Sequence, residues 1–251
     1  MLPISVCIIA YNEEDKIERC LQSVSWADEI IVVDSGSKDK TLEICKQYTS
    51  KIKHRNWTGY VDQKNYTVSL AKNEWVLSID ADEEVSSALK EEIQQLFQSA
   101  TTIYAGFKIP RLTNYLGKWI KHSGWYPDEQ LRLFKKNSAN WVGKELHERI
   151  QVNGEIGLLH ASIYHYSYCD LAEHLDTVNR FATLWAKEQN QNSKKSSVAL
   201  MRIIRPVIKF FECYVWKRGF LDGYRGLIIA GIAAFYVFLR YAKLYELQQK
   251  Q

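Results

Sequence analysis

Over the first 85 residues, short β-rich apolar runs alternate with segments of helical period, and the principal runs end in polar or acidic turns. Residues 4–10 form the first run, Ile30-Ile31-Val32-Val33 the second, Ile52 marks a short strand, and Trp75-Val76-Leu77-Ser78-Ile79 is a later central one. Between them Ile17, Cys20, Leu21 and Val24 recur at helical spacing, and Leu42, Ile44, Cys45 and Tyr48 do so less cleanly. Strands alternating with helices at this spacing predict a parallel sheet covered by helices.

After this the pattern changes. Ser86 or Ser87 is the expected N-cap of a helix through Phe97. Residues 103–166 carry many aromatics and short strand-like pieces at Ala105–Pro110, Gln130–Phe134 and Ser162–Tyr166, which predict a mixed extension of the sheet. A helix from about Asp170 to Gln189 closes this part, and the polar stretch 191–198 reads as a linker. The expected division is therefore 1–190, with halves 1–100 and 101–190, then the linker, then 199–251.

Composition excludes several classes. A chain of 251 residues that is 46% hydrophobic and 25% charged, with 12 Gly and 4 Pro, is neither collagen-like, disordered nor a polytopic membrane protein. Five scattered cysteines without a Cys-x-x-Cys pair read as free thiols in a reducing cytoplasm. Met1 to Ala10 lacks a basic start and reads as a buried strand rather than a signal peptide.

The net charge of +4 is unevenly spread: residues 1–193 sum to −4 and residues 194–251, with 11 basic and 3 acidic side chains, to +8. In the basic part Arg202, Arg205 and Lys209 interleave with Leu200, Ile203, Ile204, Val207, Ile208 and Phe211, predicting a cationic amphipathic helix bent near Pro206. The apolar run Leu227–Leu239 has 13 residues, short of the roughly 20 needed to span a bilayer. Docking on an anionic membrane surface is the favoured reading, with a helical hairpin packed on the main domain as the alternative. Nucleic acid is not expected, because no binding motif accompanies the charge.

Two acidic turns fall where an open α/β sheet binds ligands, at the carboxyl ends of strands. Asp34 ends the second run, and Asp80, Asp82, Glu83 and Glu84 follow the central one. Four acids within five residues repel one another unless a cation neutralises them. Asp80 and Asp82, two positions apart after an extended strand, are expected to point to the same side and share one divalent ion, Mg2+ or Mn2+, with phosphate oxygens. Solvated turn residues or helix caps are the alternative.

In order and spacing, Ile8-Ile9-Ala10-Tyr11-Asn12-Glu13-Glu14, Val32-Val33-Asp34-Ser35-Gly36-Ser37 and Ser78-Ile79-Asp80-Ala81-Asp82-Glu83 resemble the strand-end motifs of family 2 glycosyltransferases of GT-A fold. The resemblance implies an α/β class: a Rossmann-like, mixed, mostly parallel sheet with helices on both faces, here with a C-terminal amphipathic helical appendage. It further implies that Ala10, Tyr11, Glu13 and Asp34 hold the nucleoside of a UDP-sugar, that Asp80 lies by ribose and metal, and that Asp82 binds the metal. Lys64, in Asp62-Gln63-Lys64-Asn65, stands where the family more often has Arg. It is either a diphosphate ligand or a solvated helix lysine.

A second group of motifs resembles a narrower branch, the lipopolysaccharide inner-core β-1,4-glucosyltransferases. It comprises Gly124-Trp125-Tyr126-Pro127-Asp128-Glu129-Gln130-Leu131-Arg132, Trp141-Val142-Gly143, Leu146-His147-Glu148 and Arg218-Gly219-Phe220-Leu221-Asp222-Gly223. It implies inverting transfer to a lipid-linked saccharide at the cytoplasmic face of the inner membrane, with glucose as the first donor to consider. Asp128 is the expected base, in aromatic surroundings that exclude water, with Glu129 as the alternative. Arg132, His147 and Glu148 would serve the diphosphate, the metal or the acceptor, while His160 and His165 read as structural. Another acceptor (polyprenyl phosphate, capsule precursor or protein) or a non-catalytic nucleotide-sugar binder are the rival readings. Oligomeric state is left open.

Overall fold

A computed structural model describes residues 3–98, 102–143, 148–192 and 199–250. The chain forms two compact units, Met1–Leu112 with Asp128–Tyr166, and Thr113–Pro127 with Ser167–Gln251. This division differs from the expected one: the helix expected to close the first domain belongs to the second unit, as do residues 113–127. Of the expected linker, residues 193–198 lie outside the described residues.

The first unit alternates as its pattern requires: β1 (Ile4–Ala10), α1 (Ile17–Ser23), β2 (Glu29–Asp34), α2 (Thr41–Tyr48), β3 (Ile52–His54), α3 (Tyr60–Ser69) and β4 (Trp75–Asp80). Then come β5 (Glu83–Val85), α4 (Ser87–Gln98) and β6 (Tyr104–Tyr115), the last three residues of which belong to the second unit with β7 (Lys118–Ile120). The first unit resumes with β8 (Asp128–Lys135), β9 (Ala139–Val142), β10 (Arg149–Val152), β11 (Glu155–Leu158) and β12 (Ile163–Tyr168), of which residues up to Tyr166 belong to it.

Strand order in the main sheet is β3-β2-β1-β4-β8-β6-β12-β5. The β3, β2, β1 and β4 strands are parallel, and β8 pairs antiparallel with β4 and β6, so the sheet is mixed. Because side chains alternate across a strand, Val6, Ile8, Ile30, Val32, Leu77 and Ile79 join one core while Cys7, Ile31 and Val76 join another. Ile17 and Leu21 of α1 with Leu89 and Ile93 of α4 complete the first core, and Val68 of α3 sits in the second. Both faces are thus covered, and parallel strands buried in this way read as continuous apolar runs. As expected, Ser86 caps α4, its hydroxyl accepting the Leu89 amide at 3.1 Å.

The second unit contains α5 (Leu171–Asn192), α6 (Ala199–Phe211) and α7 (Tyr224–Gln249). Asp170 caps α5 by accepting the Glu173 amide at 2.8 Å. α6 continues through Pro206, and its regularity changes later, at Glu212–Trp216, where Lys217 N–H reaches back five residues to the Glu212 carbonyl at 2.8 Å. α7 has 26 residues, not the 13 of the apolar run, and by length and composition alone is long and apolar enough to cross a membrane.

The Arg218–Gly223 motif is a structural lock within this unit. A Cβ at Gly226 would fall 1.8 Å from the Gly219 carbonyl oxygen, so α7 starts in close contact with the motif. Asp222, 3% exposed, accepts the His122 amide at 3.0 Å and lies 3.1 Å from its Nδ1, fixing the loop before Trp125. Nearby, burial pushes His174 down to about 4, and the neutral ring shares a 2.8 Å hydrogen bond with the Tyr115 hydroxyl.

Candidate active site

Strand order reverses at β1, with β2 on one side and β4 on the other, which opens a crevice at the carboxyl ends of these strands. Ala10 and Asp34 end adjacent strands in register, and Asp80 ends β4 opposite Ile9. Asp34 is buried and accepts the Gly36 and Ser37 amides at 2.8 and 3.0 Å, which ties its turn together. The loop after β1 is clamped to the loop after β2. Asn12 donates its amide to Ser37 Oγ and accepts the Lys38 amide, each at 2.9 Å, and the Glu13 amide donates to Thr41 Oγ1 at 2.8 Å. Tyr11 projects from this clamp with half its surface exposed, available to stack on a planar ring. Nothing local in the sequence marks Asn12, but its φ of 54° and its reciprocal bonds make it the clasp of the two loops.

At the centre is a continuous chain of ion pairs. Lys64 Nζ lies 2.9 Å from Asp80 Oδ1, and Arg132 Nη2 donates to Asp80 Oδ2 at 2.7 Å and to Glu83 Oε1 at 2.6 Å. Arg111 Nη1 lies 3.5 Å from the same Glu83 oxygen, while its Nη2 donates to Asp128 Oδ2 at 2.6 Å. The other Glu83 oxygen accepts the Asp80 amide at 2.9 Å. Burial opposes ionisation of Asp80, but Arg132 and Lys64 outweigh it and hold the carboxyl well below the usual range.

This arrangement bears on three readings of the sequence. The acids after β4 are neutralised in large part by the chain's own Arg132, Lys64 and Arg111, so their spacing alone does not require a metal. Asp80 and Asp82 take different partners: Asp80 the two cations, Asp82 the ring of His165 at 3.2 Å. Lys64 is not a solvated lysine. It is 5% exposed, sits 4.4 Å over the Trp141 ring, and has Glu148 at 3.8 Å.

Asp128 starts β8 beside these ion pairs. Its close partners within the unit are polar: Arg111 on one oxygen and Gln130 Nε2 at 2.6 Å on the other. Strand alternation puts Asp128, Gln130 and Arg132 on one side of β8, whereas Glu129 points the other way, with Lys108 at 3.9 Å. Glu148 lies in the site beside Lys64, and His147 lies outside the described residues. Asn65, next to Lys64, exchanges two 2.9 Å bonds with the Trp141 backbone, which fixes the ring under the lysine.

Among the described residues no group of three or more His, Cys, Asp or Glu side chains is arranged to hold a metal. The pair Asp82 and His165 nonetheless fits a Mg2+ or Mn2+ ion of the kind held by one or two protein donors and completed by diphosphate oxygens and water. By sequence alone His165, on β12, reads as structural. Only the fold, which lays β12 antiparallel to β5 and has the Tyr166 amide donate to the Asp82 carbonyl at 2.9 Å, brings it there.

An open α/β sheet with paired cations and carboxylates at its switch point defines the class: an α/β protein with a polar ligand cleft at the carboxyl ends of its strands. The chain belongs to the glycosyl transferase family 2, whose model matches residues 5–154. Over its full length it is 35% identical to a protein of Rickettsia typhi named a glycosyltransferase, covering 89% of that protein. It is 29% identical to the lipopolysaccharide core biosynthesis glycosyltransferase LpsC of Rhizobium meliloti, over 98% of this chain and 93% of that one. Among solved structures, the Staphylococcus aureus TarS fragment 1–349 with UDP-GlcNAc matches all of this chain and 93% of that one at 16% identity and a TM-score of 0.49.

Proposed function

We propose that this glycosyltransferase moves a hexose, glucose first, from a UDP-sugar to the heptose region of a lipopolysaccharide inner core, with inversion, at the cytoplasmic face of the inner membrane. The observation that carries the catalytic part is the ion-pair chain running from Lys64 through Asp80, Arg132, Glu83 and Arg111 to Asp128. It joins the donor end of the crevice to a carboxylate suited to the acceptor. The acceptor assignment is supported by the near full-length similarity to a protein named for lipopolysaccharide core biosynthesis.

Tyr11 stacks on the uracil, and the clamped turn of Asp34 receives the ribose. Asp82 and His165 would hold a divalent ion, which when bound would supply positive charge for the leaving diphosphate. Lys64 and Arg132 keep Asp80 ionised and fixed, and lend positive charge to the same region. Asp128 removes the proton from the attacking hydroxyl, and Arg111 orients its carboxylate. Glu148 contacts acceptor hydroxyls or the metal shell.

Asp82→Asn tests this reading. The variant should keep the melting temperature of the native chain and lose metal-dependent transfer, measured as UDP release and product mass. Full turnover in the folded variant would refute the assignment.

A further inference from the structure

Five apolar side chains, Ile203, Ile204, Val207, Ile208 and Phe211, fall on one stripe of α6 at steps of one, three and four. In a soluble helix such a stripe faces the core. Here all five are exposed, Ile203 to 70%, although α6 packs against α7 along another side. The segment between the two helices continues the pattern with exposed Trp216, Phe220 and Leu221, and Tyr224 does so at the start of α7. A folded helix with its apolar stripe facing outward marks a binding surface.

We propose that this stripe and the 216–224 corner are a monotopic docking face for an anionic lipid bilayer. α6 would lie in the headgroup plane, and α7 would serve as its scaffold rather than as a membrane span. Charge selects the occupant. Residues 199–250 carry nine Lys and Arg against three Asp and Glu; Arg205, Arg240 and Lys243 are taken up by partners on α7 and α5, and the net surplus of positive charge on the segment complements anionic headgroups. Trp216 and Tyr224 are the ring types that settle at headgroup level.

The neighbours of α7 argue against spanning. Lys243 Nζ donates to Thr183 Oγ1 at 2.6 Å, Arg240 lies over the Trp185 ring at 4.6 Å, and Tyr241 meets Trp185 edge-on, all on α5. α5 carries Glu173, Asp176, Arg180, Lys187 and Glu188. A spanning α7 would have to drag these charges into hydrocarbon or abandon its partner, and either is costly.

This inference goes beyond the transfer reaction and does not depend on it, because its readout is binding. The full chain is sedimented with vesicles of equal parts phosphatidylethanolamine and phosphatidylglycerol, and with pure phosphatidylcholine vesicles. Binding should require the anionic lipid, weaken with salt, and be reversed by an alkaline carbonate wash. The double variant Ile203→Asp, Val207→Asp, with unchanged circular dichroism, should bind roughly tenfold or more weakly. Equal binding of variant and native chain, or resistance to carbonate, would overturn the proposal. So would a native chain that ignores vesicles but forms a dimer which the double variant loses.

Discussion

Glu83 is the hub of the ion-pair chain, and Glu83→Gln isolates its charge. The side chain is fully buried, and its partner Arg132 is 5% exposed. Glutamine keeps the volume and an acceptor for the Asp80 amide, so the change removes one negative charge between two guanidinium groups and little else. Two unit charges about 4 Å apart interact by about 4 kcal/mol at an effective dielectric near 20. Breaking one side of a buried pair costs about 3–5 kcal/mol. Arg132 retains Asp80 and Arg111 retains Asp128, which favours the lower end, about 3 kcal/mol. For a chain of this size the melting temperature should then fall by roughly 6–12 °C, at about 2–4 °C per kcal/mol. Thermal melts followed by circular dichroism at pH 7 read this directly. The control is Glu84→Gln, whose carboxylate accepts the Tyr166 hydroxyl at 2.8 Å from a partly exposed position and should cost about 1 kcal/mol. If Glu83→Gln melts within a degree of the native chain, or no lower than the control, the buried-hub argument is wrong.

Three further outcomes follow. Asp128→Asn should lower kcat roughly 100- to 10,000-fold with little change in donor KM; a KM effect alone would make Asp128 a binding residue. His165→Gln should raise the Mn2+ concentration needed for half-maximal activity about 10- to 100-fold, and an unchanged metal titration would remove it from the ion's shell. The folded-state pKa of Asp80 lies below its unfolded value of about 3.9, so its contribution to stability is complete above that pH and is lost as pH falls through the folded value. Urea midpoints should therefore drop on acidification below about pH 4, and less steeply in Asp80→Asn; parallel profiles would contradict the sign.

The parallel half of the sheet was legible because its strands are buried on both faces and their turns carry Asp34 and Asp80 at the expected ends. The site was legible where motifs carry its residues, as for Lys64, Asp80, Arg132 and Glu148, which lie together. Arg111 was missed because nothing local distinguishes a strand arginine. Its meaning comes from the β6–β8 register, in which it faces Asp128. Glu83 read as one of four repelling acids, since the sequence does not say that Arg132 and Arg111 will arrive from other strands. His165 joins Asp82 only through the β5–β12 pairing. At the other end of the chain, the apolar run was measured up to Arg240, yet the helix continues because Arg240 and Lys243 find partners on α5.

Everything proposed for the site depends on transfer of a sugar from a UDP donor to a lipid-linked saccharide. Its most direct measurement is product mass by mass spectrometry after incubating the native chain with UDP-hexoses and purified lipopolysaccharide core acceptors, with Mn2+ or Mg2+ and with chelator. The acceptor should gain the mass of one hexose, only when metal is present and not with Asp82→Asn. UDP-sugar binding without any mass gained by any core acceptor would contradict it.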